Sequence, residues 1–112
     1  MIRVLLVDDH HIVRQGLRQV LLDASDVDVV GDAADGIEAM RLVRGLCEVG
    51  GAGLDVVMLD IAMPGRDGLD VLKQLKHEYP RLPVLMLSTY PDKQFAVRAL
   101  RQGAAGYLNK SA

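Results

Sequence analysis

Cysteine is nearly missing from this chain. Cys47 stands alone among 112 residues, so no disulfide can close internally. An excess of basic charge is missing too. Thirteen Lys and Arg face 15 Asp and Glu, a formal net charge of −2, and such a surface cannot grip a phosphate backbone by releasing counterions. Direct nucleic-acid contact by this segment is therefore not expected. No apolar run approaches the roughly 18 residues needed to span a bilayer. Arg3, Asp8 and Asp9 also interrupt the start of the chain where a secretory signal needs an apolar stretch. These absences predict a protein without membrane contact that works in the reducing cytoplasm. Repeats and low-complexity tracts are absent as well, and GGAG at 50 to 53 is the one linker-like stretch.

What is present is apolar residue in quantity, half the chain, enough for one domain over 1–112 and too little for two cores. Short β-branched runs predict strands at 2–7, 27–31, 55–59, 83–88 and 105–108. Near-continuous apolar strands suit a parallel sheet covered on both faces. Between them, Ile12, Val13, Gly16, Leu17, Val20 and Leu21 share one helical face of residues 11–23, and Leu69, Leu72, Leu75 and Tyr79 share one of residues 69–79. Asp35 opens a helix over 36–47. Asp67 with Asp70 resembles a capping pair, and Pro91 begins a helix that Gly103 ends. Strict alternation of five strands and four helices predicts right-handed crossovers and an α/β, doubly wound five-stranded parallel sheet.

The polar residues sort themselves on that scaffold. In an open α/β sheet ligands bind beyond the carboxyl ends of the strands. The first strand ends in Asp8 and Asp9, the third in Asp60, the fourth in Ser88 and Thr89, and the fifth in Asn109 and Lys110. Three carboxylates brought to one rim repel by several kcal/mol unless protons stay on or a cation arrives. An all-oxygen set with room for water and phosphate oxygens suits Mg²⁺ better than a full Ca²⁺ cage. A carboxylate, a divalent ion, a lysine and a hydroxyl together describe phosphoryl transfer onto aspartate. Each residue also has a plainer reading. Asp8 and Asp9 could favour a helix N-terminus, Ser88 and Thr89 could be caps, and Lys110 a solvated lysine. Asp60 tips the balance, because no strand propensity explains an acid ending an apolar strand. His10 and His11 point apart on a helix and cannot chelate together, so both are expected at the surface. Cys47 reads as a small apolar filler and Tyr107 as packing or more.

The segments VLLVDDHHIVR, VVMLDIAMPGRDG, PVLMLSTY and GAAGYLNKSA, in that order, resemble the receiver domain of bacterial two-component response regulators over essentially the whole chain. The texture of STYPDKQFAVRALRQGAAGYLNKSA is similar to the NarL/FixJ subfamily, in which a receiver precedes a LuxR-type helix-turn-helix. The resemblance implies a flavodoxin-like receiver fold. It implies Asp60 as phosphoacceptor, taking phosphate from a histidine kinase partner, and Mg²⁺ (or Mn²⁺) as cofactor. That ion would be held by Asp60, by Asp9 directly, by Asp8 largely through water and by the backbone carbonyl of Ala62. Ser88 and Lys110 would bind the phosphoryl oxygens, and Ser88 with Tyr107 would form the switch. Ala62 and Tyr90 would tune the lifetime of the phosphorylated state. Such a domain is a phosphoacceptor that takes part in its own phosphorylation and dephosphorylation, not a turnover enzyme. Its DNA-binding output domain would lie outside this chain.

Two departures from the family pattern stand out. Ser111 follows Lys110 where many receivers carry proline, and Ala112 falls where the family's fifth helix begins. Without that helix one sheet face would stay apolar and open. The expectation is either a segment cut short or a face covered by self-association as a homodimer, which a monomeric, nonaggregating species in analytical ultracentrifugation would contradict. Three rivals remain. A flavodoxin-like cofactor binder needs phosphate-cradling glycines after the first strand, and DDHHIV has none. A Mg²⁺-dependent small-molecule phosphatase or phosphotransferase should turn over many times. A receiver-like interaction module that is never phosphorylated has no need of the full acid set.

Overall fold

In the computed structural model the described residues are 1–48, 50–51, 53–60, 68–88 and 93–109. They form strands β1 (Ile2–Val7), β2 (Val27–Ala33), β3 (Val56–Asp60), β4 (Val84–Ser88) and β5 (Gly106–Asn109), alternating with helices α1 (His11–Leu22), α2 (Gly36–Cys47), α3 (Gly68–Glu78) and α4 (Lys93–Arg101). All strands pair in parallel, in the order β2-β1-β3-β4-β5. The expected doubly wound α/β sheet is the observed one. The order reverses between β1 and β3, so right-handed crossovers place α1 on one face and α2, α3 and α4 on the other.

The core lies under α2, α3 and α4. Leu5 and Val7 of β1, Val57 and Leu59 of β3, and Val84 and Met86 of β4 pack there against Val43, Leu72 and Leu75. These strand residues alternate, as a pleated sheet requires. Asp35 caps α2 as expected, its Oδ1 accepting the Glu38 N–H at 2.8 Å. Gly103, at φ +100°, ends α4 in the left-handed region that glycine alone adopts at no cost. The capping pair starting at Asp67 and the helix start at Pro91 lie outside the described residues.

Two features differ from the expectation. β2 runs on to Ala33, and its pairing with β1 slips between Val4 and Leu5, leaving Val30 as an extra residue before Gly31 faces Leu5. A Cβ at Gly31 would stand 3.3 Å from Leu5 Cδ1, which accounts for glycine within a strand. The second difference is α1, whose apolar stripe buries no residue: Ile12 is 83% exposed and Val20 68%. Val56 and Met58 of β3 and Leu85 of β4 are likewise only half-buried, whereas Leu87 on the same face of β4 is buried.

Cys47, the last residue of α2, packs half-buried against the core, and burial pushes its thiol up from the ordinary value. Less thiolate should therefore be present at mildly alkaline pH. We expect Cys47 to react with a disulfide reagent at pH 8 several times more slowly than free glutathione does, whereas a rate equal to glutathione's would contradict the burial.

Candidate cation site at the sheet's carboxyl edge

The register of the two central strands builds this site. Val7 of β1 pairs with Leu59 of β3, so the residues one step on, Asp8 and Asp60, leave the sheet side by side. Asp8 stays tied to the ladder through its N–H, which donates to the Ala33 carbonyl at 3.0 Å. Asp8 and Asp60 are both buried, at 1% and 2% exposure, an unusual state for carboxylates and costly without compensation. Asp9 follows at the mouth. One ligand atom from each of Asp8, Asp9, His10 and Asp60 falls within 4.8 Å of the others.

Local chemistry fixes the loop. The chain turns as Asp8 Oδ1 accepts the His10 N–H at 2.9 Å, an Asx turn. His10 then serves as the N-cap of α1, its carbonyl accepting the Arg14 N–H at 3.0 Å. One helical turn on, the Arg14 guanidinium reaches back to donate to the Asp8 carbonyl and lies 3.7 Å from Asp32. Arg18 donates to the same Asp32 carboxylate at 2.7 Å. The two arginines thus pin α1 to β2 behind the acids.

The acids differ in what they have left to offer. Asp8 Oδ1 already takes a backbone N–H and lies 3.1 Å from His10 Nδ1. Asp9 Oδ1 is buried and makes no hydrogen bond among the described residues, although His10 Nδ1 lies 3.1 Å away. A buried carboxylate oxygen left in this state fits a hard divalent cation, as do the other two carboxylates beside it.

Of the residues expected at the site, Asp8, Asp9 and Asp60 come together. Tyr107 stands on β5 beside Met86, half-buried against the core with its hydroxyl buried and unpartnered among the described residues. Ala62, Tyr90 and Lys110 lie outside the described residues, as does the side chain of Ser88, whose backbone closes β4. Sequence reasoning missed two participants. His10, expected at the surface, is exposed but turns its ring onto the acids. Arg14 was legible only as position i+4 from His10 on a helix.

Comparison with known proteins gives the family. The family model of the response regulator receiver domain matches residues 4–112. Response regulator GacA of Pseudomonas viridiflava is 39% identical over 112 residues, covering 100% of this chain and 50% of its own. The uncharacterized transcriptional regulatory protein YhcZ of Bacillus subtilis is 34% identical over 96% of this chain and 48% of its own. The chain thus spans about half the length of the curated relatives it matches. Among solved structures, the signal receiver domain of response regulator NarL from Mycobacterium tuberculosis is 36% identical and superposes with a TM-score of 0.86, over 99% of this chain and 85% of that one. Phosphorylation signalling is the family's function, Mg²⁺ binding at an acidic pocket is its common property, and the likeness to NarL supports the narrower NarL/FixJ type. The chain belongs to the response regulator receiver domain family.

Proposed function

We propose that this chain accepts a phosphoryl group from a histidine kinase onto Asp60, with Mg²⁺ (or Mn²⁺) held by Asp8, Asp9, Asp60 and the carbonyl of Ala62. The observation that carries the reading is the side-by-side exit of buried Asp8 and Asp60 from neighbouring strands, with Asp9 against them. An Asp60 carboxylate oxygen attacks phosphorus, the bond from phosphorus to the kinase imidazole breaks, and its electron pair returns to that nitrogen. The bound cation supplies charge neutralisation between the acids and the incoming phosphoryl oxygens. Asp9 suits direct ligation, because its inner oxygen has no hydrogen bond to lose, whereas Asp8 Oδ1 is already engaged, which suits a contact through water. Ser88 and Lys110 take phosphoryl oxygens, and Ser88 couples to Tyr107. Ala62 and Tyr90 set the lifetime of the acyl phosphate. In the whole protein the switch acts on a helix-turn-helix output domain in the cytoplasm. No helix among the described residues is long and apolar enough to cross a membrane.

Acetyl phosphate with Mg²⁺ tests the reading. One phosphoryl group per chain, removed by hydroxylamine as an acyl phosphate is, is expected. Repeated turnover of a small phosphate ester would favour the phosphatase reading, and no uptake at all would favour a module that is never phosphorylated. The crowding of the acids gives a second prediction. Asp9→Asn removes one like charge and should stabilise the metal-free chain by about 1 kcal/mol, while abolishing the gain in melting temperature that Mg²⁺ gives the parent chain. A mutant with lower metal-free stability and an intact Mg²⁺ response would place the cation elsewhere.

A further inference from the structure

His10 is the one nitrogen donor in the cluster among the described residues, and nothing in the proposed phosphoryl transfer uses it. Its Nδ1 stands 3.1 Å from Asp8 Oδ1 and 3.1 Å from Asp9 Oδ1. An octahedral ion with bonds of about 2.1 Å places adjacent donors about 3.0 Å apart and opposite ones about 4.2 Å apart. The imidazole is thus near the distance of an adjacent donor from both acids, within a group whose atoms all fall within 4.8 Å of one another. The ring already leans on Asp8 Oδ1, at 3.1 Å. It makes no capping bond to α1, and its side chain is 60% exposed. Asp9 Oδ1, beside it, has no hydrogen bond to give up.

Resting on the cation site proposed above, we infer that His10 adds an imidazole ligand to the three carboxylates, making a mixed nitrogen and oxygen site that favours later first-row divalent ions such as Co²⁺, Ni²⁺ and Zn²⁺ over Mg²⁺. An oxygen-only site suits Mg²⁺ and Mn²⁺, whereas imidazole gains strength toward the later ions. Asp9, Asp60, the water on Asp8, the Ala62 carbonyl proposed above and the imidazole would take five positions of a six-coordinate ion and leave one. The neutral ring must present the Nδ1 lone pair to the metal, with the proton on Nε2.

Co²⁺ and Mg²⁺ affinities measured by titration calorimetry on the parent chain, His10→Asn and His11→Asn test this inference. His10→Asn should lower Co²⁺ affinity at least about tenfold more than it lowers Mg²⁺ affinity, and His11→Asn should leave the ratio unchanged. A proton spectrum of the Co²⁺-loaded parent chain gives an independent readout. It should contain one hyperfine-shifted imidazole N–H signal that exchanges in D₂O and is missing from Co²⁺-loaded His10→Asn. An unchanged Co²⁺ to Mg²⁺ ratio in His10→Asn, or no such signal from the parent chain, overturns the role of His10 and leaves the Mg²⁺ site standing. A parent chain that binds neither ion overturns both.

Discussion

Beryllium fluoride added with Mg²⁺ should shift the backbone amide resonances of Asp8, Asp9, Ser88 and Tyr107, and Asp60→Asn should abolish the shifts. Trifluoroberyllate becomes tetrahedral by taking an anionic oxygen as its fourth ligand, and so mimics an aspartyl phosphate. Asp60 presents such an oxygen from a buried position beside Asp8; asparagine keeps the shape and loses the charge. Asp8 and Asp9 sense the change directly. Tyr107 senses it through β4, because Ser88 pairs with Asn109 and Met86 with Tyr107 across the β4–β5 ladder. A switch of this kind requires two states that the anion binds unequally. Shifts that persist in Asp60→Asn would remove Asp60 from its role. Shifts confined to the acids, with Tyr107 unmoved, would remove the switch and spare the phosphoacceptor.

The second large effect concerns stability. Leu5→Ala should cost about 2–5 kcal/mol in urea unfolding, the range for a buried leucine truncated in a rigid core. Leu5 is completely buried on β1, an interior strand between β2 and β3. A typical domain has only about 5–15 kcal/mol to lose, so this variant should sit close to unfolding. Ile12→Ala, at a position 83% exposed, should stay within about 0.5 kcal/mol of the parent chain. Equal costs at the two positions would mean that α1 carries a buried face in solution, as self-association through that face would produce.

The contrast between Leu5 and Ile12 also marks how far the sequence could be read. Strands and helices were legible almost to their ends, because each strand is a short apolar run and each helix keeps one apolar stripe. The apolar stripe of α1 was equally legible, yet Val13, Leu17 and Leu21 are only half-buried and Ile12 and Val20 are exposed. Periodicity reveals which face seeks cover but not whether cover is there. β2 was read as ending at Gly31, yet it runs on through Asp32, whose charge two arginines on α1 offset within the strand. At the site, Asp8, Asp9 and Asp60 were legible because acids at the ends of apolar strands have no local reason to be there. His10 was not. Its role depends on a side-chain rotation that turns the ring back toward Asp8 and Asp9, and spacing along a helix carries no record of that. Arg14 escaped for a related reason, since an arginine on a helix is ordinarily solvated and only the turn at Asp8 brings a carbonyl within its reach.

The central claim is that Asp60 receives phosphate because a divalent ion offsets the acids around it. Reducing the acetyl phosphate-treated chain with borohydride and mapping its peptides by mass tests that claim most directly, since borohydride converts an aspartyl phosphate to homoserine. Homoserine at position 60 in samples containing Mg²⁺, and none in samples containing a chelator, is the predicted result. Homoserine at a different aspartate, or at position 60 regardless of the ion, would contradict it.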